Sequence, residues 1–410
     1  MTISKKYKWT FTSRFRRHAY GWRSQTPIKR IKEAVSEIKS ASRKDPILGA
    51  EGAVLLLSKL SPALEHVDSS SGAVGTAVNN AIKALVPIIA NAPADIPTRK
   101  KWLKHLWKAV EADDIPYIET LIEHWGALCQ NTKLASTWAD TLMSPVKITW
   151  SEKRRAGGGY FKGTPACLSS LLAAGRNQEI MDLLALAPYK SWYNRKWGVK
   201  ALAAMGKKAE ALRYAEDSRD NYSSPVEIAE VCEEILLSSG LSDESYSRYA
   251  IDANKKTTYL ATFRAIAKKY PDKEARNILS DLVADSPGQE GKWFAAAKSI
   301  GLYKEAIELA NKTPCAPKTL TRAARDMKTK EPNFAVEAGV TALRWLTAGY
   351  GYEITGIDVW NAYNFTMEAA VNAGCQQKVK ERIKELVKQD TSDSHFVSQI
   401  LKSELISTDK

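Results

Sequence analysis

The stretches LLAAGRNQEIMDLL (171–184), LAAMGKKAEALRYA (202–215) and AKSIGLYKEAIELA (297–310) decide the fold. Each sets a glycine between two apolar runs of helical period, which reads as helix, stop, helix. Equivalent joints fall at Gly175, Gly206, Gly240, Pro271, Gly301 and near Pro332, at intervals of 31, 34, 31, 30 and 31 residues. A period of this size marks paired helices that stack, because one pair cannot bury its own apolar face. The next joint, Gly374, comes 42 residues after Pro332, and the excess sits around Gly349-Tyr350-Gly351-Tyr352 and Gly356. A loop is therefore expected to be inserted there. A last helix over 376–388, carrying Val379, Ile383 and Val387, is expected to cap the array before a polar tail at 391–410.

Working back from residue 164, the run at 144–163 contains Lys153, Arg154 and Arg155 before three glycines and reads as a linker. Upstream of it a helical block is expected over 26–143. Thr26-Pro27 starts its first helix, and Ile28, Ile31, Val35 and Ile38 supply the apolar stripe. Further helices are expected at 49–66, from 74 to Pro93, and at 98–112, 116–131 and 133–143. Residues 1–25 break the pattern: Tyr7, Trp9 and Phe11 alternate with polar neighbours, a period of two that suits an extended arm. The expected architecture is all-α, a helical-repeat α-solenoid with a basic N-terminal arm.

Composition bounds the chemistry. The 44% hydrophobic and 26% charged content is that of a globular protein, and the richest apolar stretches, such as Ala53 to Leu57, fall short of the roughly 18 residues of a membrane span. No signal sequence is evident, so a cytoplasmic location is expected; a basic, acid-poor start also fits a mitochondrial transit peptide. Cys129, Cys167, Cys232, Cys315 and Cys375 are widely spaced, without a CxxC pair, and the five histidines form no HxxxH pair. No metal, cofactor or disulfide framework is expected. GxSxG, HExxH and phosphate-loop motifs are absent too, so the expectation is a non-enzymatic chain, with a nucleic-acid-modifying enzyme on a HEAT-like scaffold as an alternative.

The net charge of +14 is concentrated: residues 1–44 hold thirteen Lys/Arg against two acids. Lys5, Lys6, Lys8, Arg14, Arg16, Arg17 and Arg23, interleaved with Trp9, Phe11 and Trp22, combine cations for phosphates with rings for stacked bases. Lys29 and Arg30 on the first helix, and Lys100, Lys101 and Lys104 beside Trp102 and Trp107, extend that candidate nucleic-acid surface. The opposing reading is that the aromatics tie the arm to the first helices while the charges stay solvated, meet a protein partner or lie on an anionic membrane. Asp68-Ser69-Ser70-Ser71-Gly72 and Asp113-Asp114 read as helix caps. Tyr350, Tyr352 and Trp360, in or beside the inserted loop, are the candidate contacts for a protein partner, since insertions project from one face of a repeat array.

Two stretches resemble known families. Residues 297–310, with Gly301, Tyr303, Ala306 and Ile307, resemble a tetratricopeptide joint, and Gly206 with Ala209, Ala211 and Leu212 does so more weakly. That resemblance implies a scaffold whose concave face holds a polypeptide. EGAVLLLSKLSPALEHVDSSSGAVG (51–75) is similar to a segment of bacterial helical-repeat proteins, some of which carry a SWIM-type zinc finger. The finger needs clustered Cys and His, which this chain lacks, so only the helical fold is implied. A mobile-element or phage-defence setting is the context expected for the nucleic-acid alternative.

Overall fold

The computed structural model describes residues 7–151, 160–219 and 224–406, and the side chains of all of these except Ser394 and Ile406. Among the described residues there is no strand: every regular element is a helix. The chain divides into two units, at 1–224 and 225–410.

Unit 1 contains α1 (Gln25–Ser42), α2 (Pro46–Leu64), α3 (Ala73–Asn91), α4 (Ile96–Glu111), α5 (Trp125–Cys129), α6 (Thr132–Trp150), α7 (Thr164–Ala173), α8 (Asn177–Ala185), α9 (Trp192–Ala204) and α10 (Lys208–Glu216). Unit 2 contains α11 (Pro225–Leu237), α12 (Ser242–Ala253), α13 (Tyr259–Lys269), α14 (Ala275–Asp285), α15 (Phe294–Ser299), α16 (Tyr303–Lys312), α17 (Pro317–Met327), α18 (Pro332–Thr347), α19 (Gly356–Asn372), α20 (Gln376–Lys388) and α21 (Phe396–Ile406).

Each expected joint separates the two helices of a pair, from α7/α8 at Gly175 to α19/α20 at Gly374. The glycine joints share one geometry. Gly175, Gly206, Gly240, Gly301 and Gly374 all adopt left-handed φ between 67° and 78°. The following residue's N–H closes a ring onto the carbonyl five positions back, for example Leu302 to Ala297 at 3.1 Å and Lys207 to Leu202 at 2.9 Å. This terminator satisfies the carbonyls a helix leaves open, and glycine enters the left-handed region without a Cβ clash. Within unit 2, α17 packs on α18 and α19, α18 on α19 and α20, and α19 on α20 and α21. Contact with both the next helix and the next but one is what a stack of helix pairs requires.

Several expectations need correcting. The linker at 144–163 is helical over 144–150, because α6 continues through Pro145 and buries Val146 and Trp150; residues 152–159 lie outside the described set. The two units divide instead at Ser224/Pro225. The helix expected over 116–131 is a 3-10 turn, Glu119–His124, joined to the short α5. The polar tail includes α21, with Val397 and Leu401 buried. Finally, α2 and α3 are each 19 residues long and apolar enough to cross a membrane by length and composition. Alanines and glycines between the larger residues hide this from a search for unbroken apolar runs. Their apolar sides pack on protein: Leu56, Leu57, Leu60, Val74, Val78, Ile82 and Leu85 are buried in the unit 1 core.

The arm is not extended. Thr10–Ser13 forms a 3-10 turn, and Trp9, Phe11, Phe15 and Tyr20 are buried in the same core as α1 and α2. Rings stack edge-on down the segment, with centroids 6.4 Å apart for Phe11 and Phe15 and 5.7 Å for Phe15 and Tyr20. Trp9 lies against Gly52, where a Cβ would stand 2.3 Å from its ring. Burying rings of this size contributes roughly 1.5–3 kcal/mol each, which offsets part of the entropy lost in ordering the segment. His18 N–H then bonds the Pro62 carbonyl at 2.9 Å, while Thr10 reaches Glu37 and Arg14 reaches Glu33, so the segment is fixed to both α1 and α2.

Candidate functional site

The arm's burial removes Trp9 and Phe11 from any nucleic-acid surface. Lys5 and Lys6 lie outside the described residues. Arg14 and Arg30 are both spent on Glu33, at 2.8 and 2.7 Å, and Arg17 stands 3.8 Å from Glu65. Lys8, Arg16, Arg23 and Lys29 are exposed, and Trp22 is 72% exposed. On α4, Lys100, Lys101 and Lys104 face solvent, whereas Trp102 is buried and half-buried Trp107 donates to Glu111 at 2.7 Å. Trp107, Trp125 and Trp138 form a mutual cluster, so these tryptophans pack helices together. Farther along, α9 sets Tyr193 and Trp197 beside Arg195 and Lys196; Arg195 stacks 4.0 Å over Tyr214 and Lys196 pairs with Glu123 at 2.8 Å, so these cations too are held within the fold. Asp113 accepts the backbone N–H groups of Tyr117 and Ile118 at 3.3 and 2.9 Å, which fixes the turn ahead of Glu119–His124 instead of capping a helix start as expected.

The inserted loop leads to a groove in unit 2. Tyr350 and Tyr352 are exposed, at 46% and 82%, while Trp360 is half-buried on α19 and packs on Tyr363. Tyr350 stacks edge-on against Trp345 with centroids 5.1 Å apart. Gly349 and Gly351 both take positive φ, which folds the loop back so that Gly351 approaches Ile354 and Pro317. Ile354 thereby becomes part of the wall of a groove between α17 and α19 of about 360 Å³. Leu346 and Phe365 add apolar surface, and Lys318, Arg322 and Arg325 form its rim.

The rim follows from the amphipathicity of α17: Pro317, Leu320, Ala323 and Ala324 are buried, which turns positions 318, 322 and 325 outward on one face. Asp358 is the acid in the groove. It is occupied, since it accepts the N–H and hydroxyl of Thr355 at 2.8 Å and stands 3.5 Å from Lys318. Lys318 also donates to the Glu353 carbonyl at 3.0 Å, tying the loop to α17. Arg322 contacts only the Lys318 carbonyl and the Thr319 hydroxyl, with no carboxylate partner among the described residues. Sequence reasoning found the loop but not Lys318, Arg322 or Arg325. Their 4-3 spacing beside a proline helix start was the available signal.

Two further grooves lie on the alternate helices. One, between α14 and α16, is crossed by an ion pair between Arg276 and Glu305. The other, between α18 and α20, holds Glu337, which accepts two hydrogen bonds from Arg382 at 2.5 and 2.9 Å. These bonds hold the Glu337 carboxyl below its ordinary value against the opposing effect of burial. A depressed carboxyl stabilises the fold above its unfolded pKa of about 4.3, and that contribution is lost as pH falls through the folded value. Urea midpoints measured from pH 6 down to 3 should therefore drop less steeply below about pH 4 in Glu337→Gln than in the parent chain. Equal slopes would show that the pair does not act on stability.

Among the described residues no group of three or more His, Cys, Asp or Glu side chains is placed to hold a metal ion. No family model matches the chain, and no curated protein matches it. Among solved structures, the chain is similar to the APC/C hetero-tetramer Cut9-Hcn1, at 16% identity over 87% of this chain and 76% of that one, with a TM-score of 0.22. So loose a superposition leaves the helical-repeat assignment resting on the joints and on the helix-to-helix packing described above.

Proposed function

We propose that the chain is a non-catalytic helical-repeat scaffold, and that unit 2 holds an acidic polypeptide segment with an apolar anchor in the α17/α19 groove. The observation that carries this reading is the rim of Lys318, Arg322 and Arg325 over the apolar surface of Leu346, Ile354 and Phe365. An aliphatic or aromatic side chain would fill the groove while flanking carboxylates meet the guanidinium of Arg322, whose planar fork matches a carboxylate. Tyr350 and Tyr352 offer amphipathic contact area next to it at low entropic cost. Lys318 and Arg325 are paired, with Asp358 at 3.5 Å and Asp326 at 2.8 Å, just as the grooves crossed by Arg276–Glu305 and Arg382–Glu337 pair theirs; Arg322 has no carboxylate partner among the described residues, which is why the α17/α19 groove is preferred.

Selection of short random-sequence peptides on the full chain tests this. Enrichment of Asp/Glu-flanked apolar residues is expected. Arg322→Glu with Lys318→Ala should weaken the selected peptides at least about tenfold, roughly 1.4 kcal/mol, with an unchanged melting temperature. Selection of basic peptides, or binding that ignores these two substitutions, would refute the reading.

A further inference from the structure

The net charge of the protein belongs entirely to one unit. Residues 1–224 hold 35 Lys/Arg against 20 Asp/Glu, a balance of +15, whereas residues 225–410 hold 25 against 26. Within unit 1 the sharpest concentration is on α1. Its buried residues, Pro27, Ile31, Ala34, Ile38 and Ala41, repeat at 4-3-4-3 spacing and face the core. The opposite side presents Lys29, Lys32, Ser36, Lys39, Ser40 and Arg43, all exposed.

α1 has only two acids, and the arm takes both. Glu33 is held by Arg14 and Arg30, and Glu37 accepts the Thr10 N–H at 2.8 Å and its hydroxyl at 2.6 Å. Folding of the arm therefore sorts the charges: carboxylates are drawn to one flank, leaving an outward row of four cations. Among the described residues none of these four has a carboxylate within ion-pair distance. Like charges three or four positions apart destabilise a helix slightly, and this row has no internal compensation.

We propose that this outward row of α1, Lys29, Lys32, Lys39 and Arg43, docks the phosphate backbone of double-stranded nucleic acid without reading its sequence. The row spans about 21 Å at roughly 1.5 Å per residue, long enough to follow several phosphates. Between Lys29 and Arg43 serines fill the gaps and can donate to phosphate oxygens, and no asparagine, glutamine or ring stands on that stretch of the face; the exposed amide of Gln25 lies one turn before it. That composition favours a duplex backbone over a single strand. A lipid surface fits less well, because the apolar side of α1 that would enter a bilayer is committed to the core. The inference is independent of the groove in unit 2 and survives its failure.

Fluorescence anisotropy of the full chain with a mixed-sequence DNA duplex of about two helical turns provides the test. With four phosphates neutralised, log affinity should fall with log salt at a slope near about −3.6, a loss of about 150-fold between about 50 and about 200 mM. Replacing all four cations by serine should weaken binding at least about tenfold and flatten the slope by about 3.6, with circular dichroism unchanged. An equivalent RNA duplex should bind comparably, since the contact is to phosphate. The proposal is overturned if the serine variant binds as well as the parent, or if Lys100→Ser, Lys101→Ser, Lys104→Ser and Lys108→Ser together cause the same loss, which would reduce the effect to net charge. It is overturned equally if a single strand or anionic vesicles bind and the duplex does not.

Discussion

Replacing Glu233 by alanine is expected to cost about 3 kcal/mol of stability, roughly 1 kcal/mol for each of three hydrogen bonds lost. Glu233, on α11, is fully buried. One carboxylate oxygen accepts the Tyr270 hydroxyl and the Asn254 amide, each at 2.7 Å, and the other accepts Lys269 at 2.5 Å. Ser245 joins through the Tyr270 hydroxyl at 2.9 Å. The carboxylate thus ties α11 to the end of α12 and the end of α13, and its loss removes three hydrogen bonds together, leaving the Tyr270 hydroxyl with Ser245, the Asn254 amide with the Ala250 carbonyl and the partly exposed Lys269 ammonium to water. Glu233→Gln keeps the shape but supplies a donor where Lys269 needs an acceptor, so about half the loss should remain. Thermal melts combined with hydrogen exchange in α11–α13 would read both. A loss under about 1 kcal/mol for alanine would mean that the network rearranges at little cost.

In unit 1 the corresponding prediction is Arg99→Ala, with a loss of about 3–5 kcal/mol. Arg99 is 2% exposed, and its guanidinium donates to the carbonyls of Ile89, Leu128 and Ala92 at 3.0, 3.0 and 2.6 Å. These carbonyls sit at the C-terminal ends of α3 and α5, where helix dipoles concentrate negative charge. Among the described residues no acid serves as counter-ion: the nearby Cys129 thiol is pushed up to about 12 by burial, with Arg99 lowering it only in part, so it stays neutral. Two helix ends therefore hold the cation without a carboxylate. Arg99→Lys retains the charge but not the fork that reaches three acceptors, and should recover less than half of the loss. Urea unfolding at constant pH measures this, and full recovery by lysine would show that charge alone suffices.

Legibility in the sequence followed the range of the interactions. Joints such as Gly206 and Gly301 were readable because their cause is local: a left-handed position and a ring closed within six residues. The arm was misread because its burial depends on Gly52 forty-three positions away, which opens the space Trp9 fills. A glycine inside an apolar helix was the available clue. α6 was cut short at Pro145 because a proline usually marks a boundary, yet burial of Val146 and Trp150 outweighs the missing hydrogen bond. Neither candidate surface was complete in the sequence. The groove needs Phe365 beside Arg322, and the cationic row of α1 emerges only when Glu33 and Glu37 turn to the arm.

Hydrogen exchange of the intact chain with and without a saturating selected peptide tests the scaffold reading most directly. The expected result is slowed exchange concentrated in α17, α19 and residues 349–355, lost with Arg322→Glu. Protection centred on the α14/α16 or α18/α20 grooves, or anywhere in unit 1, would contradict it.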